Sequence, residues 1–217
     1  MISILHQDKS VIVCVKPTGI LSQSSPSCSE SMLSLLSAQC GGEVFPVHRL
    51  DRETGGLMVF ARTQAAAASL SAAIAEKRFQ KEYLCIVQGR PTDPSGTLRD
   101  LLFKDSARGK SFVVQRMRKG VKEAVLDYEV ISARAGHTLL RVKLHTGRTH
   151  QIRVQFSSRK LPLLGDRKYG GSGNELALWS CSLSFPHPVT KKSLSFSLLP
   201  PAEGCWEEFG GELNTIQ

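Results

Sequence analysis

One carboxylate set between two guanidinium groups, in Arg49-Leu50-Asp51-Arg52, is the stretch of this chain best equipped for chemistry. Flanking arginines favour an ionised carboxylate by direct attraction, so Asp51 is available as a nucleophile or a base. A solvated surface ion-pair cluster has the same composition, and on these residues alone that is the commoner outcome. Two glycines follow at 55 and 56, then the apolar run Leu57-Met58-Val59-Phe60-Ala61, so Asp51 belongs on a loop that feeds an interior strand.

Three other groups of residues bear on function. Lys104, Arg108, Lys110, Arg116, Arg118, Lys119 and Lys122 crowd one span in which Asp105 is the lone acid. Such a span is either a solvated loop or hairpin, or a surface that tracks phosphates. Residues 148–157 switch to helical spacing, with Thr149, Ile152, Arg153 and Phe156 on one face. An arginine on a partly apolar face needs a partner, because burying its charge alone is costly. His48, His150 and His187 are scattered and read as structural, His150 bonding backbone near the site.

The elements that must position these residues follow from periodicity. Val11 to Val15 is a β-branched strand broken at the Lys16-Pro17 turn, and the serine-rich residues 22–29 form a loop. A modest helix over 30–39 stops at Gly41-Gly42, and an alanine-rich helix over 64–77 has Thr63 as its N-cap. Residues 81–87 alternate as a half-buried strand carrying Tyr83, Cys85 and Val87 on one face. Strands over 124–131 and 138–144 flank a hairpin turn at Gly136, and closing strands over 176–185 and 193–199 flank Pro188. Helices inserted between hairpins, rather than regular βαβ repeats, predict an α+β fold with a mixed, mainly antiparallel sheet.

At 217 residues the chain suits one domain, 1–217, with a substantial core. Six cysteines without a C-x-x-C pair indicate neither a zinc cluster nor a secreted disulfide scaffold, so a reduced cytoplasm is the expected setting. No apolar run approaches membrane-spanning length, and the first ten residues lack a leader pattern. A formal charge of +9 permits a polyanionic partner without naming one.

The ordered motifs carry a resemblance. His48-Arg49-Leu50-Asp51-Arg52-Glu53-Thr54-Gly55-Gly56 resembles the HRLD-x-x-T-S-G signature of the RluA-type pseudouridine synthases. Val15-Lys16-Pro17-Thr18-Gly19 resembles the family's early Lys-Pro-x-Gly turn, and Lys81-Glu82-Tyr83 with Val87-Gln88-Gly89 its K-x-Y…V-x-G strand. Leu144 to Val154 resembles the L-x-T-G-R-T-H-Q-I-R-V block, and Gly165-Asp166, Tyr169-Gly170 and Phe185-Pro186-His187-Pro188 complete the set, covering roughly residues 10–200. Five blocks in order are far more specific than one short pattern.

The resemblance implies an RNA uridine isomerase of pseudouridine synthase fold, monomeric, without metal or cofactor, acting on tRNA or rRNA. It makes Asp51 the reacting aspartate, Arg153 its countercharge and Tyr83 the platform for the uracil. Arg49, Arg116, Arg118, Lys119 and Arg148 are the expected RNA contacts. Arg49 serves either in the gap left by a flipped uridine or on a phosphate. Gly55 departs from the usual Ser, and Cys85 and Ser180 stand where Ala is common, yet none of these removes a reacting group. The S4-type domain of many relatives is expected to be absent, leaving RNA selection to the catalytic domain. The rival reading is a non-catalytic RNA-binding or ribosome-assembly protein of the same fold. A glycosyl hydrolase needs a second carboxylate, for which Glu53 and Asp166 are the candidates.

Overall fold

The computed structural model describes residues 1–25 and 28–216. The loop expected over 22–29 therefore includes two positions, 26 and 27, that lie outside the described residues. In chain order the elements are β1 (Ile4–Gln7), β2 (Val11–Lys16), α1 (Met32–Cys40), β3 (Phe45–Pro46), β4 (Gly55–Ala61), α2 (Gln64–Ala75), β5 (Gln80–Gln88), β6 (Ser95–Asp105), β7 (Lys110–Val114), β8 (Val121–Arg134), β9 (His137–Leu144), α3 (Gln151–Ser157), β10 (Leu178–Pro186), β11 (Ser193–Ser197) and α4 (Gly210–Leu213). Among the described residues, no helix is long and apolar enough to cross a membrane. The chain divides into two compact units, Met1–Lys81 with Trp179–Pro200, and Glu82–Leu178 with Pro201–Gln217.

In the first unit β4 is the central strand, and every one of its residues is buried. β2 runs antiparallel along it from Val11 opposite Ala61 to Lys16 opposite Gly56. β10 meets the start of β4 in parallel, with Trp179 beside Gly55 and Ser180 beside Gly56, while β3 pairs with its far end. Val11, Val13, Leu57, Val59 and Ala61 point to one core, closed by Ala66 and Leu70 of α2 and by Phe79, Leu183 and Phe185. Each large side chain among these contributes about 1.5–3 kcal/mol by leaving water. Thr63 caps α2 as expected, its hydroxyl accepting the Ala66 N–H. That helix stops at Ala75 rather than residue 77, where Lys77 turns left-handed at φ 59°. α1 starts at Met32 rather than 30 because Ser31 and Ser34 form a reciprocal capping box ahead of it, and Gly41 ends it in the left-handed conformation.

The second unit is an antiparallel array in the order β5, β9, β8, β6, β7. The hairpin at Gly136 joins β8 to β9, with a register shift between Val130 and Ser132. β5 is buried on both faces from Tyr83 to Val87, so it is an interior strand and not the half-buried one that its alternation suggested. α3 lies against β6 and β7 and begins at Gln151, three residues later than helical spacing implied. The reason is His150, which holds φ 54° just before the helix. The predominance of antiparallel pairs, with helices set between them, is the α+β architecture expected.

Candidate active site

Asp51 sits in the loop entering β4, half-buried, and its carbonyl accepts the Thr54 N–H at 3.1 Å to close a turn. The turn is fastened from beneath. Lys16, the last residue of β2, is fully buried, and its Nζ donates to the carbonyls of Arg52 at 2.9 Å, Thr54 at 2.8 Å and Pro17 at 2.9 Å. Three N–H bonds to three carbonyls use the whole donor capacity of an ammonium. Burial depresses the Lys16 amine to about 8, and the charges of Glu53 and Asp51 oppose that fall. Arg52 turns its Nε onto the Gly19 carbonyl at 2.9 Å, and Gly19 returns its N–H to the Arg52 carbonyl at 2.9 Å, tying the Lys-Pro-x-Gly turn to the aspartate turn.

The two glycines after the turn are required by close approach. Gly56 has φ 109°, and a Cβ there would lie 2.3 Å from the Ser180 carbonyl oxygen of the parallel neighbour strand. At Gly55 a Cβ would come within 2.5 Å of the Trp179 ring, which is anchored by its Nε1–H to the Leu198 carbonyl at 2.9 Å. The departure from Ser at residue 55 therefore has a cause in this chain: an indole occupies the space. Arg49 is exposed and makes no hydrogen bond or ion pair with any described residue.

His48 lies behind the same strand as a neutral ring. Its Nε2 accepts the Val59 N–H at 3.2 Å, and burial together with the Lys81 charge holds its pKa down near 3. His187 closes the β10–β11 turn, its Nδ1 accepting the N–H groups of Val189 and Thr190 while its Nε2 meets Asp8 at 2.9 Å. Both act in packing and turn formation, as the sequence suggested.

In the second unit Arg153 projects from α3 and is 4 % exposed. Its Nε and Nη2 fork onto the two oxygens of Asp166, each at 2.8 Å, in a bidentate pair. Asp166 is 1 % exposed and caps the 3₁₀ turn Arg167–Tyr169 that follows it. Sequence reasoning placed Asp166 in a family block and held it as a candidate hydrolase acid, and it missed this partnership. The available signal was the Gly-Asp-x-x-Tyr-Gly spacing soon after the helix. Tyr83 is 5 % exposed on β5, opposite Val142 of β9. Arg148 donates its Nε to the Glu123 carbonyl at 2.9 Å, and its own N–H is capped by Gln151 at 3.0 Å.

The basic span runs from Lys104 near the end of β6 through β7 to Lys122 at the start of β8. Arg116, Arg118 and Lys119 are exposed on the connection from β7 to β8, with the Arg118 guanidinium 5.1 Å from the Phe103 ring centre. Lys110 is the exception, half-buried over the ring of Tyr169. Exposed cations at this density along the chain suit a phosphate backbone.

Comparison with known proteins settles the class. A profile of the RNA pseudouridylate synthase family matches residues 10–158, which include the Asp51 turn, Tyr83 and the arginine helix. The chain belongs to that family. It is 34% identical over 223 residues to an uncharacterized RNA pseudouridine synthase of Aquifex aeolicus, covering 92% of this chain and 70% of that one. Similarity at 30% identity extends to the ribosomal large subunit pseudouridine synthase D of Zymomonas mobilis, covering 93% of this chain and 70% of that one. It extends equally to the tRNA pseudouridine synthase C of Haemophilus influenzae, covering 91% and 92%. Human RNA pseudouridylate synthase domain containing 4 shares the fold, with a TM-score of 0.78 at 24% identity over 98% of this chain and 93% of that one. The activity class is thus an RNA uridine isomerase. Its reaction exchanges the N1–C1′ bond of uridine for a C5–C1′ bond, the C5 proton leaving and N1 gaining one.

Proposed function

We propose that this isomerase acts on uridines in structured tRNA or rRNA, with Asp51 as the reacting anion. The observation that carries the reading is the Lys16 anchor: three carbonyls around the Asp51 turn converge on one buried ammonium, which fixes the main chain where a reaction needs it fixed. A merely solvated ion-pair loop has no use for such an anchor. In this reading Asp51 attacks the ribose C1′ or the base C6, or removes a proton from the sugar. Arg153 supplies the countercharge and Tyr83 stacks on the uracil. Arg116, Arg118, Lys119 and Arg148 take phosphates, and Arg49 occupies the gap left by the flipped nucleotide or contacts a phosphate. The enzyme works as a monomer in the cytoplasm, and the choice between the two RNA classes follows the names of the Zymomonas and Haemophilus relatives.

The test is pseudouridine mapping in cellular RNA with the gene intact, deleted, and restored as Asp51→Asn. Asn nearly keeps the size of the side chain and removes the anion, so a folded variant should leave one or more sites as uridine while still binding RNA. A folded Asp51→Asn protein that restores every site would remove Asp51 from the chemistry. An unchanged map on deletion would favour the non-catalytic RNA-binding reading.

A further inference from the structure

Tyr169 joins more of the second unit than packing requires. Its ring belongs to a small core with Leu102 of β6, Ala124 of β8 and Val154 of α3, against which Val113 of β7 also packs. A phenylalanine would fill that core. The hydroxyl instead accepts the Ser111 N–H of β7 at 2.8 Å and bonds the Nδ1 of His150 at 2.8 Å. Two cations also lie over the ring, Lys110 Nζ at 4.8 Å from its centre and the Arg153 guanidinium at 5.4 Å. Cations beside an aromatic face are attracted by its quadrupole, more strongly when water is excluded.

Each of these partners has a place in the site. Lys110 and Ser111 begin the strand of the basic hairpin. His150 is the left-handed residue that sets where α3 starts, and Arg153 follows it by three positions. The same turn repeats the connection: Lys168 Nζ donates to the Gly109 carbonyl at 3.1 Å on the hairpin, and the Tyr169 carbonyl accepts from Ser157 Oγ at 2.6 Å at the end of α3. Asp166, which caps this turn, holds the Arg153 fork. The hairpin and the arginine helix are therefore fastened to one short turn, and Tyr169 touches both.

We infer that Tyr169 is a positioning residue through which the phosphate-binding hairpin sets the placement of Arg153, so that RNA seated on the hairpin favours the reactive arrangement of the arginine. The inference rests on the assignment of Arg153 to the reaction.

The experiment measures single-turnover tritium release from bulk tRNA and rRNA labelled at uracil C5, with the full chain in saturating excess and RNA affinity measured in parallel. Tyr169→Leu should slow the saturated rate about a hundredfold and Tyr169→Phe, which keeps the ring, about tenfold, with affinity changed less than about threefold. Lys110→Met should slow wild-type enzyme by about threefold and have no further effect in the Tyr169→Leu background, because the link is already cut. A structural role alone would lower the melting temperature without this non-additivity. A folded Tyr169→Leu protein at the wild-type rate, or equal Lys110→Met effects in both backgrounds, overturns the inference. Should Tyr169→Leu not fold, a wild-type rate in Tyr169→Phe overturns it equally. Arg153→Lys separates the two levels. At the wild-type rate it removes the assignment beneath the inference, whereas a slow Arg153→Lys beside a fast Tyr169→Leu removes the inference alone.

Discussion

Lys16 in the first unit and Arg153 in the second are both buried cations, and they are held in opposite ways. Lys16 is surrounded by main-chain carbonyls and its amine is depressed to about 8, chiefly by burial. Arg153 forks onto a carboxylate that is itself sealed from water. Carbonyl dipoles stabilise a buried charge less than a full counter-ion does, so the lysine carries a desolvation penalty that Asp166 largely offsets for the arginine. What the lysine contributes in return is shape, because carbonyls from residues 17, 52 and 54 meet at one point. What Asp166 contributes is direction, since a bidentate pair fixes the plane of the guanidinium.

The contrast predicts different consequences when each anchor is removed. Asp166→Asn leaves a charged guanidinium buried beside a neutral amide, and should cost about 3–5 kcal/mol of stability. Lys16→Met should cost only about 1 kcal/mol, because unpaired carbonyls are partly balanced by relief from burying the charge. Its activity should nevertheless fall at least about tenfold as the Asp51 turn loosens. The lysine also leaves a signature in pH. Its folded value of about 8 lies below the ordinary 10.5, so between these limits the unfolded chain holds a proton that the folded chain has released. Stability from this group therefore rises with pH across that window, and the rise should vanish in Lys16→Met. Melting curves from pH 7 to 10 beside single-turnover rates decide it. A Lys16→Met enzyme with full activity would show that the carbonyl cage does not place Asp51.

A smaller effect tests whether the first unit is as sensitive to shape as that argument requires. Gly55→Ser restores the family's common residue, but its Cβ would meet the Trp179 ring at 2.5 Å. Overpacking of this kind costs about 1–3 kcal/mol. Trp179→Leu should be harmful alone, through a lost side chain, and should partly rescue Gly55→Ser. Strictly additive melting shifts would mean that the indole is not what excludes serine.

Much of this was legible in the sequence where one element carries its own signal. The β2 run, the Thr63 cap and the hairpin about Gly136 needed only local periodicity and capping chemistry. The Asp51 turn was legible because two arginines, the carboxylate between them and two glycines fall within eight residues. Lys16 as an anchor was not, since it ends a β-branched strand and nothing in a linear pattern says that three carbonyls will surround its amine. Asp166 and Tyr169 were visible as motif residues, but their partners were missed for the same reason, since these lie 13 to 58 residues away. β5 was misread as half-buried because alternation reports two distinct faces and cannot report that both are covered.

The least disruptive change at neutral pH concerns His48, behind the strand that Lys16 helps to position. The residue is half-buried overall, yet its Nδ1 is sealed from solvent and meets no hydrogen-bond partner among the described residues. With Nε2 accepting from Val59, the ring is the neutral Nδ1–H tautomer, and protonation would force Nε2 to give up that bond. The folded value near 3 lies below the ordinary 6.5, so as pH falls from about 6.5 towards 3 the unfolded chain takes up a proton that the folded chain refuses. Stability should therefore fall across that acid window, by at most about 1.4 kcal/mol per pH unit from this group. His48→Gln retains an oxygen to accept the Val59 N–H and cannot titrate in that range. Near pH 7 it should change stability by about 1 kcal/mol or less, and it should flatten the acid limb of a stability profile between pH 6.5 and 4. An acid limb as steep as the wild type's would place the titrating group elsewhere and leave His48 a packing residue only.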